Sequence, residues 1–126
     1  MRFTGSSYSK YEIRLDAREI NGGNGQGASP MELFLNGIAG CTAMDVISIL
    51  QKMKQEVSSF NTFVSAERAS EHPKVFTRLH IEYHFTGQDL DREMVEKAVD
   101  LSQEKYCPAI AMFKKVCPVD FSIKIC

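Results

Sequence analysis

The segment Ser29-Pro30-Met31-Glu32-Leu33 constrains this chain more than any other, because it fixes where a long apolar helix begins. Ser29 is a capping residue, Pro30 suits the first helical position, and Glu32 completes a Ser-x-x-Glu capping box. The pattern predicts a helix from Pro30 to about Glu56. Its first half is apolar almost all round, which predicts a central, buried helix. Gly37 and Gly40 each lower helix propensity by roughly 1 kcal/mol at an exposed site. Close approach of another backbone, or of a ligand, beside Cys41 would offset that cost.

Around this helix the chain alternates between strand-like and helix-like periods. Residues 8–15 read as a strand with Tyr11, Ile13 and Leu15 on one face. Asn21-Gly22-Gly23-Asn24-Gly25-Gln26-Gly27 reads as a flexible, turn-rich loop. Two strands follow, about Ser59–Ala69 and Lys74–Thr86. In the second, Val75, Thr77, Leu79, Ile81, Tyr83 and Phe85 share a face, and Phe76, Arg78, His80, Glu82 and His84 share the other. Such alternation predicts an antiparallel sheet with one face on the core. A second helix is expected from about Asp91 to Tyr106, with Met94, Val95, Ala98, Leu101 and Ser102 inward. It restarts after Pro108, and Val119–Ile125 forms a last strand. The predicted class is α+β, with two core helices against antiparallel sheet.

Composition bounds the function. A chain of 126 residues suits one domain, so residues 1–126 are read as a single unit. Apolar residues make up 44% and charged residues 25%, an ordinary globular balance, and a net charge of −1 speaks against a nucleic-acid or acidic-membrane partner. Met1-Arg2-Phe3-Thr4-Gly5 lacks the apolar run of a secretion signal. Polar residues from Asn36 to Lys52 interrupt the longest apolar stretch, which predicts no bilayer span and a cytoplasmic protein.

The chemistry resides in the cysteines. Cys41, Cys107, Cys117 and Cys126 lack the close ligand pairs of a structural zinc site. A chain of this size also needs no disulfide framework. Cys107 precedes Pro108 at a helix start, where free N–H groups and the helix dipole favour a thiolate, and Lys105 adds positive charge. The plain alternative is a packing residue at a kink. Cys41 lies mid-helix with no dipole advantage and reads equally as a core residue or a thiol activated from outside. His80, Glu82 and His84 share a strand face that reads as solvated rather than as a metal site. Cys117 and Cys126 carry no functional signal.

Two segments resemble the OsmC/Ohr family over nearly the whole chain. Ser29-Pro30-Met31-Glu32-Leu33 leading to Gly40-Cys41-Thr42-Ala43-Met44-Asp45 looks like the family's first active-site helix. Val99-Asp100-Leu101-Ser102-Gln103-Glu104-Lys105-Tyr106-Cys107-Pro108 looks like its second cysteine helix. The resemblance implies an OsmC-like fold, an intertwined homodimer with two central helices packed between sheets. It implies a thiol peroxidase that prefers organic hydroperoxides, with Cys41 peroxidatic and Cys107 resolving, an external dithiol as reductant, and no metal or organic cofactor. Arg14 and Glu32 would activate Cys41, with Arg18 a poorer choice than Arg14. This chain departs from better-characterised members in two ways. Met31 stands where they carry a glutamate directly after the proline, and much of a first strand is expected to be missing. Those departures imply a weaker or differently specific enzyme. Two other readings stand beside it: a redox-sensing or small-hydrophobic-ligand module of the same fold, and a generic disulfide exchanger, which the wide sequence separation of the cysteines disfavours.

Overall fold

A computed structural model describes all residues from Met1 to Cys126. The chain divides into two compact units, Met1–Asn36 and Gly37–Cys126. In the first, β1 (Phe3–Gly5) pairs antiparallel with β2 (Ile13–Leu15), with Thr4 opposite Arg14. The first strand is only three residues long, and the second is shorter than the pattern predicts. Lys10 turns the chain at positive φ, and Tyr8 and Tyr11 stand exposed beyond the pairing.

The glycine-rich segment is organised rather than loose. Asp16 is buried and accepts hydrogen bonds from the backbone N–H groups of Ala17 (2.8 Å), Gln26 (3.1 Å) and Asn24 (3.2 Å). The Gln26 bond leads in holding its carboxyl below the usual aspartate range. Gly23 lets the loop close, since a Cβ there would lie 2.1 Å from the Ala17 carbonyl oxygen.

Helix α1 spans Pro30–Lys52. Its start is the capping box that the sequence predicts: Glu32 N–H donates to Ser29 Oγ and Ser29 N–H donates to Glu32 Oε2, both at 3.3 Å. Its burial corrects the expectation. Only Ile38, Thr42, Val46 and Leu50 are buried, a single stripe at four-residue spacing, while Met44 is 73% exposed. One chain supplies a covering layer on one side of the helix only. Gly37 and Gly40 likewise face open space, so no backbone of this chain approaches them. By length and composition α1 could cross a bilayer, contrary to the sequence reading. Its buried Thr42 and its Asp45, which accepts a bond from Ser102, tie it instead into a folded unit.

The larger unit is built on a three-stranded sheet, β3 (Ser59–Arg68), β4 (Phe76–Thr86) and β5 (Val119–Ile125), with β4 central. β3 and β4 are antiparallel, but β5 runs parallel to β4, which corrects the all-antiparallel expectation. A parallel neighbour requires a crossover, and here the chain from Gly87 to Pro118 supplies it with helices α2 (Arg92–Leu101) and α3 (Pro108–Phe113). Asp91 caps α2 by accepting from Glu93 N–H at 3.0 Å. The alternation along β4 holds from Leu79 onward, where Leu79, Ile81, Tyr83 and Phe85 are all buried. Before that it slips: Phe76 is buried while Val75 and Thr77 are exposed. The cause is a bulge at Thr77, since Glu67 pairs with Arg78 and Arg68 with Phe76.

Gly87 closes the turn after β4. A Cβ there would sit 2.5 Å from the Glu56 carbonyl oxygen and 3.0 Å from Leu90. Gly87→Ala is expected to destabilise the protein by about 1–3 kcal/mol, read as a lower denaturant midpoint at unchanged m-value.

Candidate functional site: a dithiol over a buried hydroxyl chain

The expected second helix, Asp91 to Tyr106, is α2 followed by a wider helical turn, Ser102–Tyr106. In that turn Cys107 N–H donates to Ser102 C=O at 3.0 Å, a five-residue step. The widening sets where Cys107 arrives. Cys107 then caps α3 as the sequence predicts, with its Sγ accepting from Ile110 N–H at 3.5 Å and Pro108 in the first turn.

The Cys107 and Cys41 side chains lie near enough to interact electrostatically, and Cys41 helps keep the Cys107 thiol protonated. Both are free thiols, Cys107 buried and Cys41 half-buried. The local electrostatics correct the thiolate expectation for Cys107. Burial pushes its thiol up to about 12, and the contact with Cys41 acts in the same direction. The Ile110 N–H bond, and the nearby Ala109 N–H group, oppose this and lose.

Because the folded value lies above the ordinary thiol value of 9.0, the native state keeps a proton that the unfolded chain releases. This contribution to stability is complete below about pH 9 and is lost as pH rises toward about 12. Timed iodoacetamide labelling of the reduced protein at pH 8 is expected to modify exposed Cys126 long before Cys107. Equal rates would contradict the assignment.

Beneath the dithiol lies a chain of buried side-chain hydrogen bonds. Gln103 Nε2 donates to Tyr83 OH at 2.8 Å. Tyr83 OH and Thr42 Oγ1 are 2.7 Å apart, as are Thr42 Oγ1 and Ser102 Oγ. Ser102 Oγ donates to Asp45 Oδ2 at 3.2 Å. Each hydroxyl has one proton. Since Ser102 gives its proton to Asp45, Thr42 must donate to Ser102, and Tyr83 to Thr42. The protons therefore all point toward the Asp45 carboxylate, an arrangement in which each bond polarises the next. Burial first, and then the charges near it, raise the Tyr83 phenol, so it remains a donor. Lys114 Nζ fastens the wide turn by donating to Gln103 C=O at 2.9 Å. Asp45 also lines a cleft of about 370 Å³ with Ser48, Ile49, Lys52, Leu101 and Tyr106.

Of the four predicted site residues, the structure brings Cys41 and Cys107 together. Arg14 lies on β2 in the first unit, exposed, among Thr4, Glu12 and Gln26. Glu32 engages its carboxylate in the Ser29 cap. The sequence reading missed Thr42, Tyr83, Ser102, Gln103 and Asp45 as a group. The available signal was polar atoms at inward positions, since Tyr83 and Ser102 fall on the faces read as core. No three His, Cys, Asp or Glu side chains are grouped so as to hold a metal ion. His80 engages Asp120 through Nδ1 and Ser122 through Nε2, the latter at 3.2 Å.

An α+β chain in which a long helix and a crossover segment bring two thiols near each other beside a mixed sheet has the OsmC-like architecture. The chain belongs to the OsmC-like family, whose family model matches residues 23–122. It is similar to protein YhfA of Escherichia coli K12, at 39% identity over 125 residues, covering 99% of this chain and 90% of the relative. Among solved structures, a hypothetical protein from Aquifex aeolicus VF5 superposes with a TM-score of 0.73 at 31% identity, covering 99% of this chain and 96% of that one. An organic hydroperoxide resistance protein, OsmC, from Legionella pneumophila has the same fold. Its TM-score is 0.69 at 17% identity, covering 98% of this chain and 95% of that one.

Proposed function

We propose that this protein is a cysteine-based hydroperoxide reductase that prefers organic hydroperoxides, with Cys41 peroxidatic and Cys107 resolving. The observation that supports this reading is that the two thiols lie near enough to interact. Their unequal burial divides the roles: half-buried Cys41 can meet a substrate, while buried Cys107 keeps its proton until a partner sulfur needs it. Membership of a family with a relative named for organic hydroperoxide resistance supports the substrate class.

In the cycle, the Cys41 thiolate attacks the terminal oxygen of the hydroperoxide. The O–O bond breaks, the leaving alkoxide takes a proton to become an alcohol, and Cys41 becomes a sulfenic acid. Cys107 sulfur then attacks that sulfur, forming the disulfide and releasing water. An external dithiol reduces the disulfide by two exchange steps and leaves as its own cyclic disulfide. No metal or organic cofactor enters. Arg14, by its resemblance to a family placement, and Glu32, one residue beyond the family's glutamate position, are the residues assigned to activating Cys41.

The working form in this reading is a cytoplasmic homodimer of a single domain. The apolar side of α1 that this chain leaves uncovered, with Met44 exposed and Gly37 and Gly40 open, supports a second copy as its cover. The span of the family match, residues 23–122, supports one domain.

The test is peptide mass analysis after one equivalent of cumene hydroperoxide without reductant. The wild type is expected to yield a Cys41–Cys107 disulfide. Cys107→Ser is expected to yield Cys41 sulfinic and sulfonic acids. Reduced Cys41 in both proteins would overturn the proposal.

A further inference from the structure

No hydroxyl of the chain hydrogen-bonds a sulfur, yet the chain joins the two segments that carry them. Thr42 directly follows Cys41 on α1, while Ser102 and Gln103 open the wide turn that delivers Cys107. Tyr83 on β4 lies between them, accepting from Gln103 and donating to Thr42. Thr42, Ser102 and Tyr83 are all fully buried, so water cannot substitute when a member is lost. Apolar contact alone would let α1 and the wide turn slide. A directed chain of short bonds holds one register, because any slip leaves buried donors unmatched.

We infer that Thr42 and Tyr83 are positioning residues for the Cys41–Cys107 pair, setting the effective concentration of one sulfur at the other. Forming the disulfide requires the sulfurs to close to a bonded distance of about 2.05 Å. Bonds of this kind depend steeply on placement, and a shift of about 1 Å can cost on the order of 100-fold. The inference rests on the proposed function only for its physiological meaning. The dithiol's own equilibrium is a property of the chain whether or not it reduces peroxides.

The first measurement is therefore made without peroxide. Wild type, Thr42→Val, Tyr83→Phe and Thr42→Ser are equilibrated in glutathione buffers, and the Cys41–Cys107 disulfide is quantified. Thr42→Val and Tyr83→Phe are expected to lower the oxidation constant by about tenfold, equivalent to about 30 mV. Thr42→Ser keeps the hydroxyl and is expected to restore the wild-type value. Circular dichroism confirms that each variant is folded, and Tyr83→Phe keeps the test available if Thr42→Val is not. The second measurement exposes the same proteins to cumene hydroperoxide. The initial release of alcohol per subunit is expected to stay within about twofold of wild type, while the fraction of Cys41 as sulfinic acid rises about tenfold. Wild-type oxidation constants in both folded variants would overturn the inference. Equal loss of alcohol release and disulfide formation would do so as well. A shifted glutathione equilibrium with no peroxide consumption by wild type would sink the reductase reading and leave this one standing.

Discussion

Cys41→Ser is expected to abolish turnover of cumene hydroperoxide with dihydrolipoamide as reductant, a fall on the order of 10³-fold or more. A serine hydroxyl keeps its proton at neutral pH and is a far weaker nucleophile toward an O–O bond than a thiolate. No other sulfur stands ready to replace it. Cys107 and Cys117 are buried, and burial pushes both thiols up, so neither presents a thiolate at neutral pH. Cys126 is exposed and free. Turnover that survives in Cys41→Ser would remove the reductase assignment. The fold would be untouched by that result, because Cys41 supplies no buried apolar volume that the core depends on.

Phe85→Ala is expected to cost about 3–5 kcal/mol. Phe85 is fully buried on the central strand, and its ring stacks on Phe60 at 4.4 Å with the planes 6° apart. Its backbone pairs with Phe60 on one side and with Ile125 on the other. Removing the ring leaves a cavity that neither neighbouring strand can fill without breaking register. Against a total of about 5–15 kcal/mol for a domain, this is a large fraction. Urea unfolding followed by circular dichroism reads it as a lowered midpoint, and a loss below about 1 kcal/mol would contradict the packing described for this strand.

What was legible in the sequence was local. Ser29, Pro30 and Glu32 announced the start of α1 because a capping box is complete within four residues. Cys107-Pro108 announced a capped helix for the same reason. The pairing of β5 was not legible, since periodicity gives a strand's faces but not its direction. The bulge at Thr77 was hidden because one extra residue changes the phase without changing composition. The protonation of Cys107 went the other way from its local signal. The helix terminus is a local feature, whereas the burial that outweighs it is supplied by residues distant in sequence. The hydroxyl chain has the same character, with Thr42 meeting Tyr83 and Ser102 across separations of 41 and 60 residues. Half of α1 was misread because an apolar helix surface does not say whether its own chain or another will cover it.

The parallel pairing of β5 also imposes an order of events on folding. β3 and β4 form a hairpin from neighbouring sequence and can pair as soon as both exist. β5 reaches β4 only after the whole crossover has been gathered in, an entropically slower closure. Cys107 lies inside that closing segment. Its shielding from oxidants therefore begins when the last strand docks, and a newly made chain passes through an interval in which this thiol is open to solvent and its partner is not yet in place.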